Sequence, residues 1–162
     1  MKQGLLEQHP CYGPIGFHKF TPMNDIKLKK IMIALAMNGD EGRVIEKAVE
    51  LSNGFGASLI VVHVNDIHAG KMSMMMDSPE KFEEEDIRQS FRDYGFESIA
   101  DKIQIEIIMA EKVPVAIASA VGDADLLVLG HRKMNTFKAS FMDSVDEGII
   151  NLIDCPVLVV QK

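Results

Sequence analysis

The sequence predicts a single α/β domain, a doubly wound parallel sheet of five strands with helices on both faces. Short runs rich in Ile, Leu and Val alternate with stretches whose apolar residues recur at helical spacing. Gly, Pro and Asn punctuate the joints between them. The chain has 162 residues, 47% of them hydrophobic, which fits one domain with a sizeable core.

Residues 1–27 read as an extension preceding a domain at 28–162. Pro10, Gly13, Pro14, Gly16 and Pro22 break any periodic pattern there, as in a loop or partly ordered arm. Leu5, Leu6, Phe17 and Phe20 give that arm apolar groups to dock on the domain or on a second subunit. Residues 31–35 are apolar throughout, as expected of a strand buried on both faces. Met37, Asn38 and Gly39 make the turn, and Asn38 with Glu41 forms a capping pair for a helix. Val44, Ile45, Ala48, Val49 and Leu51 lie on its apolar stripe, and Gly54 and Gly56 end it. Residues 57–64 form the second strand, where His63 reads as a core or strand-end histidine rather than a ligand.

Ser78 is placed to cap the next helix with Pro79 at its first position. Glu80, Glu83, Glu84, Glu85 and Asp86 crowd its first turns, where the helix dipole favours negative charge. Ile87, Phe91 and Tyr94 supply its inward stripe, and Gly95 ends it. Ile103, Ile105 and Ile107 alternate with Gln104 and Glu106, the pattern of an edge strand with one wetter face. Pro114 starts a short helix that runs through Val121 to Gly122. Residues 126–129 and 157–160 are the fourth and fifth strands. Between them lie a polar loop from Gly130 and a helix opened by Ser144 and ended at Asp154-Cys155-Pro156.

The bulk properties exclude several classes. A net charge of −7 argues against a nucleic-acid surface. No apolar run approaches the roughly 18 residues that span a bilayer, and the first 20 residues lack a continuous apolar centre. A cytoplasmic location is therefore expected. Cys11 and Cys155 have neither disulfide-framework nor metal-ligand spacing, and Cys155 reads as a small apolar residue. Met72, Met74, Met75 and Met76, with His68 nearby, suit cover for an apolar gap or a partner surface rather than a Cu(I) site. A nucleophile elbow, an intact Walker loop and a paired-histidine metal motif are all missing from the sequence, so no catalytic residue and no metal site is predicted.

In a doubly wound sheet, ligands bind beyond the carboxyl ends of the strands where the strand order reverses. That rule directs attention to residues 130–144. His131, Arg132, Lys133 and Lys138 form a basic cluster in an otherwise acidic chain. It is either a solvated loop or a recognition element for a small anion or a shifted nucleotide. Gly130 has two readings, close approach of a ligand or a tight strand-to-loop turn, and the turn alone would justify it. Ser144 and Glu147 form a capping box, with or without an added ligand contact.

The runs KKIMIALAMNGDEGRVIEKAVELS, GASLIVVHV, ADLLVLGHRK and DCPVLVV resemble the universal stress protein family over residues 29–162. The resemblance implies a sheet order of 3-2-1-4-5, with the reversal between the first and fourth strands. Nucleotide-binding members read G-x2-G-x9-G-[ST] after the fourth strand. Those positions fall on Gly130, Lys133, Asp143 and Ser144, so one glycine of three is present. ATP-binding members carry an aspartate after the first strand, where Ala36 stands; Val64 matches their apolar contact at the end of the second. The candidate nucleotide-contacting set is Ala36, Val64, Gly130, His131, Arg132, Lys133, Ser144 and Val145.

A phosphate needs backbone N–H groups unobstructed by side chains. A carboxylate at Asp143, about 4 Å from a phosphate charge, costs roughly 4 kcal/mol at an effective dielectric of about 20, or about a thousandfold in affinity. Gly130-His131 followed by non-glycine residues is similar to the universal stress protein A branch, regarded as not binding ATP. The implied function is a non-catalytic dimeric regulatory module with a protein partner and no cofactor. The alternative is an adenine-nucleotide sensor taking ATP or AMP through a remodelled loop. Val157, Leu158, Val159 and Val160 would form an apolar sheet edge, which antiparallel pairing in a homodimer would cover.

Overall fold

The computed structural model describes residues 27–71, 78–132 and 145–162. Five parallel strands, β1 (Lys30–Ala34), β2 (Ser58–Asn65), β3 (Gln104–Met109), β4 (Leu126–His131) and β5 (Val157–Gln161), form one sheet in the order β3-β2-β1-β4-β5. The helices among the described residues are α1 (Gly42–Phe55), α2 (Glu84–Asp93), α3 (Glu97–Ala100), α4 (Val113–Val121) and α5 (Val145–Ile150). The expected fold class and strand order are both present. The extension at residues 1–27 (Lys27 apart), Cys11, the Met72 to Met76 cluster, Lys133, Lys138, Asp143 and Ser144 lie outside the described residues.

The alternation of side chains along β1 divides the core into two layers. Ile31, Ile33 and Leu35 pack with Val44, Ile45, Ala48 and Val49 of α1 and with Ile87 and Phe91 of α2. Met32, with Ala34 beside it, packs on the other face against Ile117 and Val121 of α4 and Ile149 of α5. β1 lies between β2 and β4, with Met32 opposite both Ile60 and Leu127. It is therefore hydrogen-bonded on both edges and covered on both faces, which is why its sequence carries no polar alternation. β3 lies at the outer edge, as its Gln104 and Glu106 indicate.

Several element boundaries differ from the sequence pattern. The first helix starts at Gly42 rather than after Asn38; Glu41 is its N-cap residue, and its main-chain carbonyl accepts the Val44 and Ile45 N–H groups. Gly54 lies within that helix, while Gly56, at φ 64°, makes the left-handed cap. α2 begins six residues beyond Ser78. The Ser78 hydroxyl donates to the His68 carbonyl, and Pro79 accepts from the Gly70 N–H, so this segment is committed to the β2 exit loop. Glu83 and Asp86 form the capping box in place of Ser78. Tyr94 is exposed rather than inward, its hydroxyl donating to the Gly39 carbonyl. β4 runs two residues further than expected, and the helix opened after Ser144 ends at Ile150, well short of Asp154. The second change follows from the sheet, because Pro156 must already be extended to accept the Leu127 N–H.

One buried side chain holds the β2 exit in place. Asn65 is 2% exposed; its Oδ1 accepts the Phe82 N–H and its Nδ2 donates to the Phe82 carbonyl, at 2.9 and 2.8 Å. Replacing it leaves Phe82's two main-chain groups unpaired. Asn65→Ala is expected to lower stability by about 2–4 kcal/mol and to speed amide exchange at Phe82. A urea midpoint within error of wild type would contradict this role.

Candidate functional site at the strand switch point

A cleft of about 440 Å³ opens beyond the carboxyl ends of β1, β2 and β4. Its strand side is Ala34, Leu35, Ala36 and Asn38 from β1 and its exit, His63 and Val64 from β2, and Leu129 to Arg132 from β4 and its exit. Its helix side is Val113 and Ile117 of α4 with Val145, Asp146 and Ile149 of α5. The fold places it where the neighbouring strands β1 and β4 lead into helices on opposite faces of the sheet, the position the switch-point rule assigns. Of the candidate residues, Ala36, Val64, Gly130, His131, Arg132 and Val145 all line it; Lys133 and Ser144 lie outside the described residues. Ala36 is exposed and brings no polar atom of its side chain to the cleft.

Gly130 is not a turn residue. It lies within β4, paired with Val160, and its φ is not positive. A Cβ there would collide with Lys162 Cε and stand 2.8 Å from Val44 Cγ2. Glycine is thus required by two side chains, the Lys162 stem that crosses over it and the buried Val44 of α1. A second close approach occurs on the helix side, where a Cβ on Gly148 would lie 3.0 Å from the Pro114 ring. It brings α4 and α5 together behind Ile117 and Ile149.

Among the described residues, the basic side chains at the mouth all meet carboxylates of the same chain. His131 Nδ1 donates to Asp146 Oδ2 at 2.7 Å. Arg132 Nε donates to Asp40 Oδ2. Lys162 Nζ, its side chain 6% exposed, lies 2.8 Å from Asp40 Oδ1 and 3.2 Å from Glu41 Oε1. Glu41 is 1% exposed and also accepts the Asn38 N–H at 2.7 Å, which fixes the exit of β1 against the start of α1. The expected basic cluster is therefore, in its described part, a set of ion pairs. Burial disfavours ionisation of Asp40, but hydrogen bonds from Arg132 and Lys162 outweigh it and hold its carboxyl below the usual range. Asp40 consequently contributes stability above about pH 4 that is lost as pH falls through its lowered folded value. The Arg132 guanidinium is correspondingly raised by Asp40.

His63 is 4% exposed, as expected of a core residue. Its Nδ1 donates to the Leu35 carbonyl at 2.8 Å, its Nε2 lies 3.3 Å from Asn65 Oδ1, and its ring meets Phe82 edge-on. It nevertheless lines the cleft, which the strand pattern alone did not indicate. Asp40, Asp146 and Lys162 were also missed. Asp40 and Asp146 stand next to capping positions, a signal that has a local explanation. Lys162 meets Asp40 across 122 positions of chain, and no local pattern encodes that.

The close crossing at Gly130 is testable by coupling. Gly130→Ala is expected to cost about 1–3 kcal/mol. Part of that cost should disappear in a Lys162→Ala background, with an interaction energy of at least about 0.5 kcal/mol, measured by urea unfolding. Simple additivity would mean the lysine stem does not lie over Gly130.

Comparison with known proteins places this fold. The profile of the Universal stress protein family matches residues 27–161. Among solved structures, the chain is similar to a universal stress protein in complex with cAMP, at 18% identity and a TM-score of 0.58, covering 84% of this chain and 98% of that one. It is also similar to a universal stress protein from Archaeoglobus fulgidus, at 22% identity and a TM-score of 0.55, covering 81% and 92% of the two chains. A third, from the same organism in complex with dAMP, has 20% identity and a TM-score of 0.51 over 83% and 98%. At these identities the likeness is one of fold. The comparison with curated proteins gave no match. The family profile spans nearly the whole chain and the strand order agrees with it: the chain belongs to the universal stress protein family.

Proposed function

We propose that the protein is a non-catalytic, dimeric regulatory module of its family whose switch-point cleft does not take ATP in the family's usual way. One observation carries this reading: Arg132 and Lys162, the described Arg and Lys at the cleft mouth, are already held by carboxylates of the same chain, and His131 is hydrogen-bonded to Asp146. A polyphosphate entering there would meet Asp146, and Asp40 beside Arg132, rather than free positive charge, and like charges at close range repel. Ala36 offers nothing polar to the other end of such a ligand. Dimerisation is supported by the edge position of β5, where Val159 is 41% exposed.

A second reading is favoured by the cleft itself. Its volume of about 440 Å³ lies within the range of small-ligand sites, and its lining is mostly apolar. Relatives of the same fold have been solved with cAMP and dAMP. The second reading is therefore an AMP-type ligand, its ring against Val64, Ile117 and Leu129.

The chain has no Trp and two Tyr, so a retained nucleotide would dominate absorbance near 260 nm. The expected result is a protein-like spectrum after purification, no heat signal on titration with ATP, and a dimeric mass by light scattering at micromolar concentration. AMP binding without ATP binding would select the second reading. Tight ATP binding would overturn the first, and a monomeric mass would remove the dimer.

A further inference from the structure

Arg132, just beyond β4, and Lys162, just beyond β5, converge on one carboxylate from the loop before α1. Each takes a different oxygen: Arg132 Nε donates to Asp40 Oδ2, and Lys162 Nζ lies 2.8 Å from Oδ1. A bridging oxyanion between two cations is the arrangement in which proteins hold a phosphate monoester or a carboxylate ligand. Here the oxyanion belongs to the chain, and the two cations it bridges, Arg132 and Lys162, line an apolar cleft of about 440 Å³.

From this geometry we propose that Asp40 is an internal stand-in for a ligand's phosphate: a small phosphate monoester binds by displacing it from Arg132 and Lys162. The inference deepens the AMP-type reading and rests on it for the ring-binding half of the ligand.

Three features make the exchange feasible. The Asp40 side chain keeps 31% of its surface in contact with solvent, so it can swing into water without crossing the core. Lys162 remains paired with Glu41 at 3.2 Å when Asp40 leaves, so the buried ammonium is never stripped of a counter-ion. The Arg132 side chain is 58% exposed and can follow an incoming anion. A tethered carboxylate competes at an effective concentration in the millimolar range or above. In the wild type it therefore weakens anion affinity and restricts the site to ligands whose apolar part contributes binding of its own. A single phosphate fits the gap left by one carboxylate. The further charges of a triphosphate would face Glu41.

The test uses the full chain and inorganic phosphate as the probe, titrated at constant ionic strength with chloride as the balancing anion. Asp40→Asn removes the competing charge while keeping the side chain's size. The expected result is a saturable, phosphate-dependent rise in the unfolding midpoint, with half-saturation about tenfold lower than in wild type. Adding Arg132→Gln should abolish that gain. A phosphate response in Asp40→Asn no stronger than in wild type overturns the proposal, as does a gain that survives Arg132→Gln. Asp40→Ser takes the same titration if the asparagine variant fails to fold. AMP and adenosine are titrated in parallel. If neither binds while phosphate behaves as expected, the AMP-type reading fails and the displacement stands. If adenosine binds alike to wild type and Asp40→Asn, and neither AMP nor phosphate tightens, the ring reading stands and the displacement fails.

Discussion

The fold depends on the burial of β1 between two apolar layers. A strand with parallel neighbours on both edges and helices on both faces exposes no backbone group along its length, and Ile31, Met32 and Ile33 are at most 1% exposed. Polar residues therefore cannot appear until the strand leaves the sheet. They appear at once: Asn38, Asp40 and Glu41 follow within a few residues of Leu35. The same rule applies to β4, whose apolar run gives way to His131 and Arg132. The polar mouth and apolar floor of the cleft are thus the two ends of one burial gradient.

Within that mouth, charge balance determines character more than residue type does. Taken by sequence, His131 and Arg132 suggest attraction for anions. In the fold, each meets an aspartate from another element, and the cleft presents neutralised pairs. Pairing of this kind contributes little to stability where it is exposed, as for Arg132. The Glu41–Lys162 contact differs, since both groups are buried: removing Lys162 leaves the Glu41 carboxylate with only the Asn38 N–H, whereas Lys162 without Glu41 still has Asp40.

The fold class, the five strands and their order were legible from the sequence because each strand is a short run of Ile, Leu and Val with a helical stretch beyond it. The limits of α2 were not. Ser78-Pro79 has the local chemistry of a helix start, but Asn65, 17 residues upstream in a buried strand, binds Phe82 and delays the helix. The site was legible in part. Gly130 was singled out for a turn it does not make; its reason is the close packing of Val44 and of a lysine that arrives from the far end of the chain. Long-range pairings of this sort leave no spacing to read. Asp40 and Asp146 lay beside capping positions, where a local role hides a distant one.

The approach of Gly148 to Pro114 sets one wall of the cleft. Glycine is the smallest residue available, and a Cβ in its place would stand only 3.0 Å from the Pro114 ring. On that side the gap is at its lower limit. A carbon added at position 148 would press on the Pro114 ring, and α4 and α5 would have to yield by a few tenths of an ångström beside Ile149. In divergent chains with this scaffold, a tighter enclosure would thus have to come from the strand side.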